Sequence, residues 1–506
     1  MITVQRLKDI VGGRSQAGSA SPHEIRGICV DSRSVKAGDV FFAIPGTHYD
    51  GSDFVDDAIS RGAVCAVTER LNGSVDPARL ILVSDPVGAL AKFSAAFFEN
   101  PSATMSVVGI TGTNGKTTIT YLLESIFRYA GITAGVVGTI NYRFGNDVFR
   151  EGLTTPFPHE LQAALAGVKR MGGRYVFMEV SSHGIFQRRV SDIIFEAGIF
   201  TNLSRDHLDF HGDMENYFQV KKAFFAEIIP SGKGGKRSIV NIDCPYGRKL
   251  AGELGGDVVA YGSGSDAQYS VSSSHFSIEG TRAKVSTPSG EVEITSGLIG
   301  AHNLLNILAS VTYAHLAGLG LNQVAGGVSA LTAVPGRLER IDAGKPIHLF
   351  VDYAHSPDGL KNVLESLTSH KERKLVVVFG CGGDRDRGKR ALMGRIAGSL
   401  ADVSIVTSDN PRTEDPFAII EEIVPGCEEG GARKVQKKAQ VKEGDRIYLI
   451  EPDRKSAIFT AIDLAREGDI ILIAGKGHEP YQIIGERKIH FDDREVVRSI
   501  AGKQSS

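Results

Sequence analysis

The stretch Met105-Ser106-Val107-Val108-Gly109-Ile110-Thr111-Gly112-Thr113-Asn114-Gly115-Lys116-Thr117-Thr118 decides the fold class. Its first six residues form a short apolar run typical of a buried strand. From Lys116 to Tyr129 the apolar residues Ile119, Leu122, Leu123, Ile126 and Phe127 recur at helical spacing. Strand, glycine-rich turn and helix in that order open a nucleotide-binding core. Gly112 and Gly115 let the backbone N–H groups of the turn, Thr113 and Asn114 included, wrap a polyphosphate at the helix N-terminus. Lys116 adds a point charge, and the Thr117 hydroxyl, followed by Thr118, can ligate Mg²⁺. The loop departs from the general GxxxxGK[ST] spacing, because Ile110 stands five residues before Gly115. ATP with Mg²⁺ is the expected ligand. The fate of the γ-phosphate is left open, since switch GTPases, kinases, ATPases and ligases share such a loop.

Upstream, residues 1 to about 100 carry short apolar strands at Val40–Ile44 and Ala63–Val67 and read as a small α/β unit ending near Pro101. Downstream, strands are expected at Tyr175–Val180, Gly198–Asn202 and Ser238–Ile242. Two-residue alternation from Tyr269 to Ile294 then predicts a short antiparallel insert. A helix over His302–Ala317 stops at Gly318, and Pro335-Gly336 marks the next boundary. Beyond it, strands at Ile347–Val351, Leu375–Phe379, Val403–Thr407, Ile447–Ile450 and Ile470–Ala474 alternate with helices at Asp358–Leu367, Lys389–Ser399, Phe417–Ile423 and Ser456–Ala465. Such alternation implies a mostly parallel sheet whose strand ends carry the functional loops. The expected fold is α/β in three domains: a small N-terminal α/β domain (1–100), a central P-loop ATPase-like domain with a mostly parallel sheet (101–335) and a C-terminal Rossmann-like domain (336–506).

Composition fits. In 506 residues, 42% are apolar and 23% charged, which excludes a disordered chain and a small disulfide scaffold. With 57 basic against 59 acidic residues, no global field draws the chain to nucleic acid or an anionic membrane. The cysteines Cys29, Cys65, Cys244, Cys381 and Cys427 are scattered and odd in number, which suits a reducing cytoplasm. The start MITVQRLKDIVGG lacks the pattern of a signal peptide, and no apolar run is long enough to span a bilayer. A cytoplasmic protein, a monomer, is expected.

Seven motifs in order give the chain a family resemblance. Gly112-Thr113-Asn114-Gly115-Lys116-Thr117, Glu179-Val180-Ser181-Ser182-His183, Asp206-His207-Leu208-Asp209, His302-Asn303-Leu304-Leu305-Asn306, Pro335-Gly336-Arg337-Leu338-Glu339, Asp352-Tyr353-Ala354-His355 and Gly475-Lys476-Gly477-His478-Glu479 together resemble the Mur ligases. These are ATP-dependent enzymes that build the peptide stem of bacterial peptidoglycan. The resemblance implies an N-terminal domain for the UDP-sugar, a central ATPase domain and a C-terminal domain for the incoming amino acid. It also implies a reaction in which the D-glutamate γ-carboxylate of UDP-N-acetylmuramoyl-L-alanyl-D-glutamate attacks ATP and an amine displaces phosphate from the acyl phosphate. Thr117, Glu179, His207 and a carbamylated Lys221 are then the expected magnesium ligands, although by residue type alone Glu179 is as readily a capping or paired core acid and His207 is more often structural. An ammonium beside Mg²⁺ would be repelled, whereas a carbamate reverses the sign. Counting from His211-Gly212-Asp213 favours Lys221 over its neighbour Lys222, and a solvated helix face is the bland alternative for both.

By the same resemblance Asn303 and Arg337 are expected at the nucleotide, and Asp352 with His355 near its phosphates. Ser32, Thr47, His48, Tyr49, Thr154, Thr155, Ser181, Gln187 and Arg189 are expected at the UDP-sugar peptide. Asp409-Asn410-Pro411-Arg412 follows a predicted strand and resembles the motif of family members that add meso-diaminopimelate; members that add L-lysine lack the arginine. Diaminopimelate carries a second carboxylate, which a guanidinium can grip through two parallel hydrogen bonds. Arg385, Gly475 and Glu479 resemble further positions around that amino acid. The rival readings are a lysine-adding or folate-type ligase, disfavoured by Arg412 and by the extra N-terminal domain, and a P-loop ATPase that turns over without an amine.

Overall fold

The computed structural model describes residues 2–15, 23–46, 49–70, 75–150, 152–231, 237–256, 258–436 and 444–504. By internal contacts the chain forms two compact units. One comprises Met1–Thr111, Thr133–Ile199 and Val220–Ser238, the other Gly112–Ile132, Phe200–Gln219 and Ile239–Ser506.

The first unit begins with a parallel sheet of Gly27–Cys29, Asp39–Phe42, Cys65–Thr68 and Leu80–Leu82, adjacent in that order. Period-two geometry sends Val40 and Phe42 to one face, where they meet Val4, Leu7, Leu90 and Phe93. Phe41 goes to the other, against Val55 and Ala58. Burial on both faces explains why these strands read as continuous apolar runs. The same unit holds parallel strands Ala134–Val137, Tyr175–Glu179 and Ser106–Thr111, with Tyr142–Phe144 and Asp147–Arg150 as an antiparallel edge. The pairing Glu179↔Ile110 sets the end of the Glu179 strand beside the end of the strand that feeds the phosphate loop. A π-turn, Phe224–Ile228, follows the helix Met214–Ala223. Its aromatic rings, with Ile229 just beyond it, fill the space above Gly109 and Gly198, where a Cβ would overlap Phe224 and Ile229 respectively. Those two glycines are therefore packing residues of the strands that carry them.

In the second unit the helix Lys116–Tyr129 packs on helices Ala301–Leu316 and Leu321–Ala330. Phe127 stacks on Tyr313 at 6.1 Å, and the Ser125 hydroxyl donates to the Gly327 carbonyl at 2.7 Å. The alternation read from Tyr269 onward is an antiparallel meander of Tyr269–Ser277, Gly280–Thr287 and Gly290–Ser296. The last sheet runs in the order Glu339–Ile341, His348–Asp352, Ile470–Ala474, Leu375–Phe379, Val403–Val406, Ile447–Ile450, Arg433–Lys434, parallel except for its first strand. Apolar cores cover both faces. The four loops that leave the C-terminal ends of the strands His348–Asp352, Leu375–Phe379, Val403–Val406 and Ile470–Ala474 therefore emerge along one edge, where parallel sheets place their sites.

One helix differs from expectation. The segment read as Phe417–Ile423 extends over Pro416–Glu429 and passes through Pro425, a residue that normally ends or kinks a helix. Packing carries it through. A Cβ on Gly394 or Gly398 of the helix Lys389–Leu400 would overlap the carbonyls of Ile423 or Cys427, and one on Gly426 would overlap that of Ala391. These glycines let the two helices approach backbone to backbone, a tertiary gain that outweighs the lost helical hydrogen bond.

Candidate active site

The phosphate loop sits in the second unit from Gly112 on. Gly112 (φ +145°) and Gly115 (φ +91°) adopt backbone conformations that favour glycine. At each a Cβ would also collide, with the Thr201 hydroxyl and the Asn306 carboxamide respectively. The loop is braced by Asn202, which accepts the Thr113 N–H at its carbonyl and the Asn114 N–H at Oδ1, both at 2.9 Å. Thr201 donates its hydroxyl to the Asn114 carbonyl at 2.6 Å. Lys116 folds back so that Nζ donates to the carbonyls of Gly112 and Thr113, each at 2.8 Å. Its ammonium is thus held against the loop backbone. Arg337 Nη2 donates to Thr117 Oγ1 at 3.2 Å, which brings two of the expected nucleotide residues together. Thr118 is buried in the first turn of the helix. Asn303 is buried and spends its carboxamide locally, donating to the Ile299 carbonyl and accepting from Asn306 Nδ2.

Asp352 ends its strand buried, with Oδ2 accepting the Leu338 N–H at 2.6 Å and Oδ1 the Ala354 N–H at 2.7 Å. Burial pushes this carboxyl above its ordinary range, against the pull of Arg337 and of the two N–H groups. In this arrangement Asp352 is a clamp: it fixes the turn that carries Arg337 and the segment that carries Tyr353 and His355. The Tyr353 ring lies 4.6 Å from the Arg337 guanidinium, a cation–π contact. His355 Nδ1 is 2.8 Å from the Tyr353 carbonyl, which can only accept, so Nδ1 carries the proton. Burial, with Lys389 alongside, holds the His355 imidazole below its usual pKa. Asp206 lies 4.0 Å from His355 and 3.5 Å from His207, whose backbone is left-handed at φ +54°. Despite burial, the Asp206 carboxyl is held low by His207, His355 and Lys389.

The loops at the sheet edge form a second cluster of polar side chains. Arg412 (φ +54°) donates from Nη1 to the Gly383 carbonyl at 2.7 Å and to the Asn410 carbonyl at 3.4 Å, while its backbone N–H donates to Ile483. Burial, with Arg385 nearby, opposes the Arg412 charge, and Asp409, Glu479 and Asp384 offset part of that cost. Asn410 Nδ2 donates to Glu479 Oε2 at 3.1 Å, and Asn410 Oδ1 accepts the Ile483 N–H at 2.9 Å. The Pro411 carbonyl lies where a Cβ on Gly383 would go, and Asp409 Oδ2 where one on Gly475 (φ +116°) would go. Arg385 donates to the carbonyl of Asp384. All seven residues expected around the amino acid thus occupy one loop cluster.

In the first unit, both oxygens of Glu179 are held by Thr139, from its N–H and its hydroxyl, each at 2.9 Å. Thr154 pairs with the same Thr139 hydroxyl at 2.9 Å, and the Thr155 hydroxyl donates to the Glu179 carbonyl. Ser181 caps the short helix Ser182–Phe186 and donates to Thr155 Oγ1 at 3.0 Å. Arg189 donates to the Thr155 carbonyl at 2.7 Å, binds Gln187, and stacks over Phe157. Thr154, Thr155, Ser181, Gln187 and Arg189 are therefore one network built around Glu179. Lys221 is 1% exposed, with Nζ 3.2 Å from Thr111 Oγ1, whereas Lys222 is half-buried. Ser32 instead hydrogen-bonds Asp57, and Tyr49, 75% exposed, packs edge-on to Phe54 at 6.2 Å. Thr47 and His48 lie outside the described residues. Among the described residues, no group of three or more His, Cys, Asp or Glu side chains could hold a metal ion.

Residues 24–98, 110–314 and 336–477 match three family descriptions in turn: "Mur ligase family, catalytic domain", "Mur ligase middle domain" and "Mur ligase, glutamate ligase domain". A relative from Geobacter metallireducens is 44% identical over 512 residues, covering 99% of each chain. The chain belongs to the Mur ligase family. That relative is named UDP-N-acetylmuramoyl-L-alanyl-D-glutamate--2,6-diaminopimelate ligase, as is one from Gloeobacter violaceus, 43% identical over 96% of this chain and 95% of its own. A solved structure bearing the same enzyme name is 30% identical over the whole of both chains, with a TM-score of 0.68. A MurF ligase from Thermotoga maritima in complex with ADP shares the fold at a TM-score of 0.65 and 20% identity, over 95% of this chain and 97% of its own. The three-domain α/β architecture of Mur ligases is the architecture of this chain.

Several residues of this Mur ligase chain escaped the reading of its sequence. Thr139 clamps Glu179 from 40 positions away, and Asn306 sets the limit on Gly115. Lys389 donates to the His355 carbonyl at 2.9 Å. Lys476 sits fully buried inside the Asn410–Glu479 pair. Lys389 and Lys476 did carry a signal, each beside glycine: Gly388-Lys389 opens a helix, and Gly475-Lys476-Gly477 lies in a strand-end loop.

Proposed function

We propose that the chain is the ATP-dependent acid–amino-acid ligase that joins meso-diaminopimelate to the D-glutamate γ-carboxylate of UDP-N-acetylmuramoyl-L-alanyl-D-glutamate, releasing ADP and phosphate in peptidoglycan precursor synthesis. The arrangement of Arg412 carries this reading. Its hydrogen bonds to the protein side use Nη1, leaving Nε and Nη2 as a planar fork suited to a second carboxylate. Glu479 and Asp409 supply negative charge for the ammonium groups of the same ligand.

In this reading residues 1–100 serve the UDP-sugar, 101–335 ATP, and 336–506 the amino acid. The γ-carboxylate attacks the γ-phosphorus, ADP departs, and the acyl phosphate forms. The amine then attacks the acyl carbon, phosphate leaves with the bonding pair, and the new amide nitrogen loses a proton. The chain's residues bring the reactants together and neutralise crowded anions, which is what phosphoryl transfer chiefly requires. Lys116 and the loop N–H groups hold the phosphates, Arg337 adds charge at Thr117, and Asp352 and His355 organise the neighbouring turn. Ser32, Thr47, His48, Tyr49, Thr154, Thr155, Ser181, Gln187 and Arg189 hold the UDP-sugar peptide.

Magnesium fits the donor chemistry: Thr117 offers a hydroxyl, Glu179 a carboxylate oriented by Thr139, and His207 a half-exposed imidazole. A buried Lys221, converted by CO₂ to a carbamate with loss of two protons from its ammonium form, would add anionic oxygen. When bound, the ion offsets phosphate charge. Cytoplasmic residence and a monomeric state complete the proposal. The cytoplasmic placement accords with five buried cysteines that form no disulfide. Phosphate release from ATP in the presence of the UDP-linked dipeptide tests the reading. Release should need meso-diaminopimelate, with L-lysine a poor substitute and no turnover without an amine; amine-independent hydrolysis would revive the ATPase reading.

A further inference from the structure

The Gly475–Glu479 loop contains a lysine for which the reaction as described has no use. Lys476 has no exposed side-chain surface. Its Nζ donates to Asn410 Oδ1 at 3.2 Å and to Glu479 Oε2 at 3.3 Å, and stands 5.4 Å from the centre of the Tyr481 ring. The loop backbone is built to send it inward. Gly475 (φ +116°) and Gly477 (φ +53°) flank it in left-handed conformations, and a Cβ at either would strike Asp409 or Tyr353. Burying an ammonium costs several kcal/mol unless it is paired and hydrogen-bonded, so a lysine kept here has to be matched by its surroundings. Glu479 supplies the charge, and Asn410 the second acceptor.

The three side chains bond one another, and the Tyr353 hydroxyl donates a further bond to Glu479 Oε1 at 3.4 Å. Asn410 gives Nδ2–H to the Glu479 oxygen that Lys476 also binds, while Oδ1 takes both Lys476 Nζ and the Ile483 N–H. The Ile483 carbonyl in turn accepts the Arg412 N–H at 3.1 Å, and Gly485 N–H donates to the Arg412 carbonyl at 2.7 Å. Removing the lysine charge would leave Glu479 as a half-buried carboxylate without its counter-ion, and would deprive Asn410 Oδ1 of one donor. Both errors fall in the loops that hold Arg412 and Glu479.

We propose that Lys476 is a positioning residue for the incoming amino acid: it never touches the ligand, but locks Asn410 and Glu479 in the geometry that receives the diaminopimelate ammonium and carboxylate. This rests on the function proposed above. It goes further, because it assigns the selectivity of the pocket to a buried ammonium as well as to Arg412. The lock acts on one substrate only. Lys476 therefore governs the KM for the amino acid and leaves the KM values for ATP and the UDP-linked dipeptide alone, a division that general loss of structure would not produce.

The test is steady-state kinetics of the full chain carrying Lys476→Met, which keeps the length of the side chain and removes its charge. Each substrate is varied in turn, beside Asn410→Ala and the double variant. The expected result is a KM for meso-diaminopimelate raised about tenfold or more, with the other two KM values within about twofold of the unmodified enzyme. The double variant should be no worse than the more damaged single, because both substitutions break one unit. If Lys476→Met does not fold, Lys476→Gln, which removes the charge but keeps a hydrogen-bond donor for Asn410, must show the same one-substrate effect. Unchanged KM for the amino acid, a rise in all three, or full additivity of the two substitutions would overturn the proposal. Should the unmodified enzyme fail to use meso-diaminopimelate at all, the underlying function falls instead, which the same experiment reads separately.

Discussion

Replacing Arg412 by methionine should convert the enzyme's preference rather than its chemistry. Methionine keeps an apolar stem of similar reach and removes the guanidinium. The protein side loses one strong bond, Nη1 to the Gly383 carbonyl at 2.7 Å, at the surface of the pocket. The ligand side loses two charge-assisted hydrogen bonds from Nε and Nη2, each worth about 1.5–3 kcal/mol. The sum is about 3–6 kcal/mol of binding to the second carboxylate, or roughly 10²–10⁴-fold in kcat/KM. L-Lysine has no second carboxylate, so its turnover should change by no more than about threefold. The assay is phosphate release at saturating ATP and UDP-linked dipeptide with either amine varied, and with product masses checked. Arg412→Lys should recover only part of the loss, because an ammonium keeps the charge without the planar fork. A loss below about tenfold with meso-diaminopimelate, or an equal loss with both amines, would refute the argument from Arg412.

Three further outcomes follow from the geometry. Gly115→Ala should raise the KM for ATP more than tenfold, since its Cβ meets Asn306 and φ is +91°; an unchanged KM would remove the loop from the nucleotide site. Gly426→Ala should destabilise the chain by about 1–3 kcal/mol in urea unfolding, because its Cβ runs into the Ala391 carbonyl, and a neutral result would mean the helices separate freely. Glu414 is held at a pKa of about 2, chiefly by its hydrogen bonds to the buried Arg390, against an ordinary 4.5. A depressed carboxyl stabilises the fold above the unfolded pKa and loses that contribution as pH falls from about 4.5 toward 2. Glu414→Gln should therefore flatten the acid limb of thermal stability in that window; an identical acid limb would show that Arg390 does not hold the carboxylate.

What the sequence revealed follows from the range over which its signals act. Apolar periodicity is local, so the strands Leu375–Phe379, Ile447–Ile450 and Ile470–Ala474 were read at the bounds they have in the structure. The phosphate loop was legible because its lysine and glycines lie within a few residues of each other. The helix through Pro425 was not, since the glycines that support it act on a partner helix some thirty positions away. The hairpin of Tyr481–Ile484 and Arg487–His490 also went unread, its alternation masked by exposed Arg487 and Lys488. Thr139, Lys389 and Lys476 are ordinary residue types whose roles exist only through distant partners. Family motifs supplied Glu179 and His355, but not the side chains that orient them.

The central claim is that ATP is spent on activating a carboxylate that diaminopimelate then captures. It is tested most directly with UDP-N-acetylmuramoyl-L-alanyl-D-glutamate carrying ¹⁸O in both oxygens of the γ-carboxylate, with ATP and meso-diaminopimelate. The account predicts one labelled oxygen in each released phosphate and the other in the carbonyl of the new amide, with neither product formed when the amine is withheld. Phosphate released without label would contradict it.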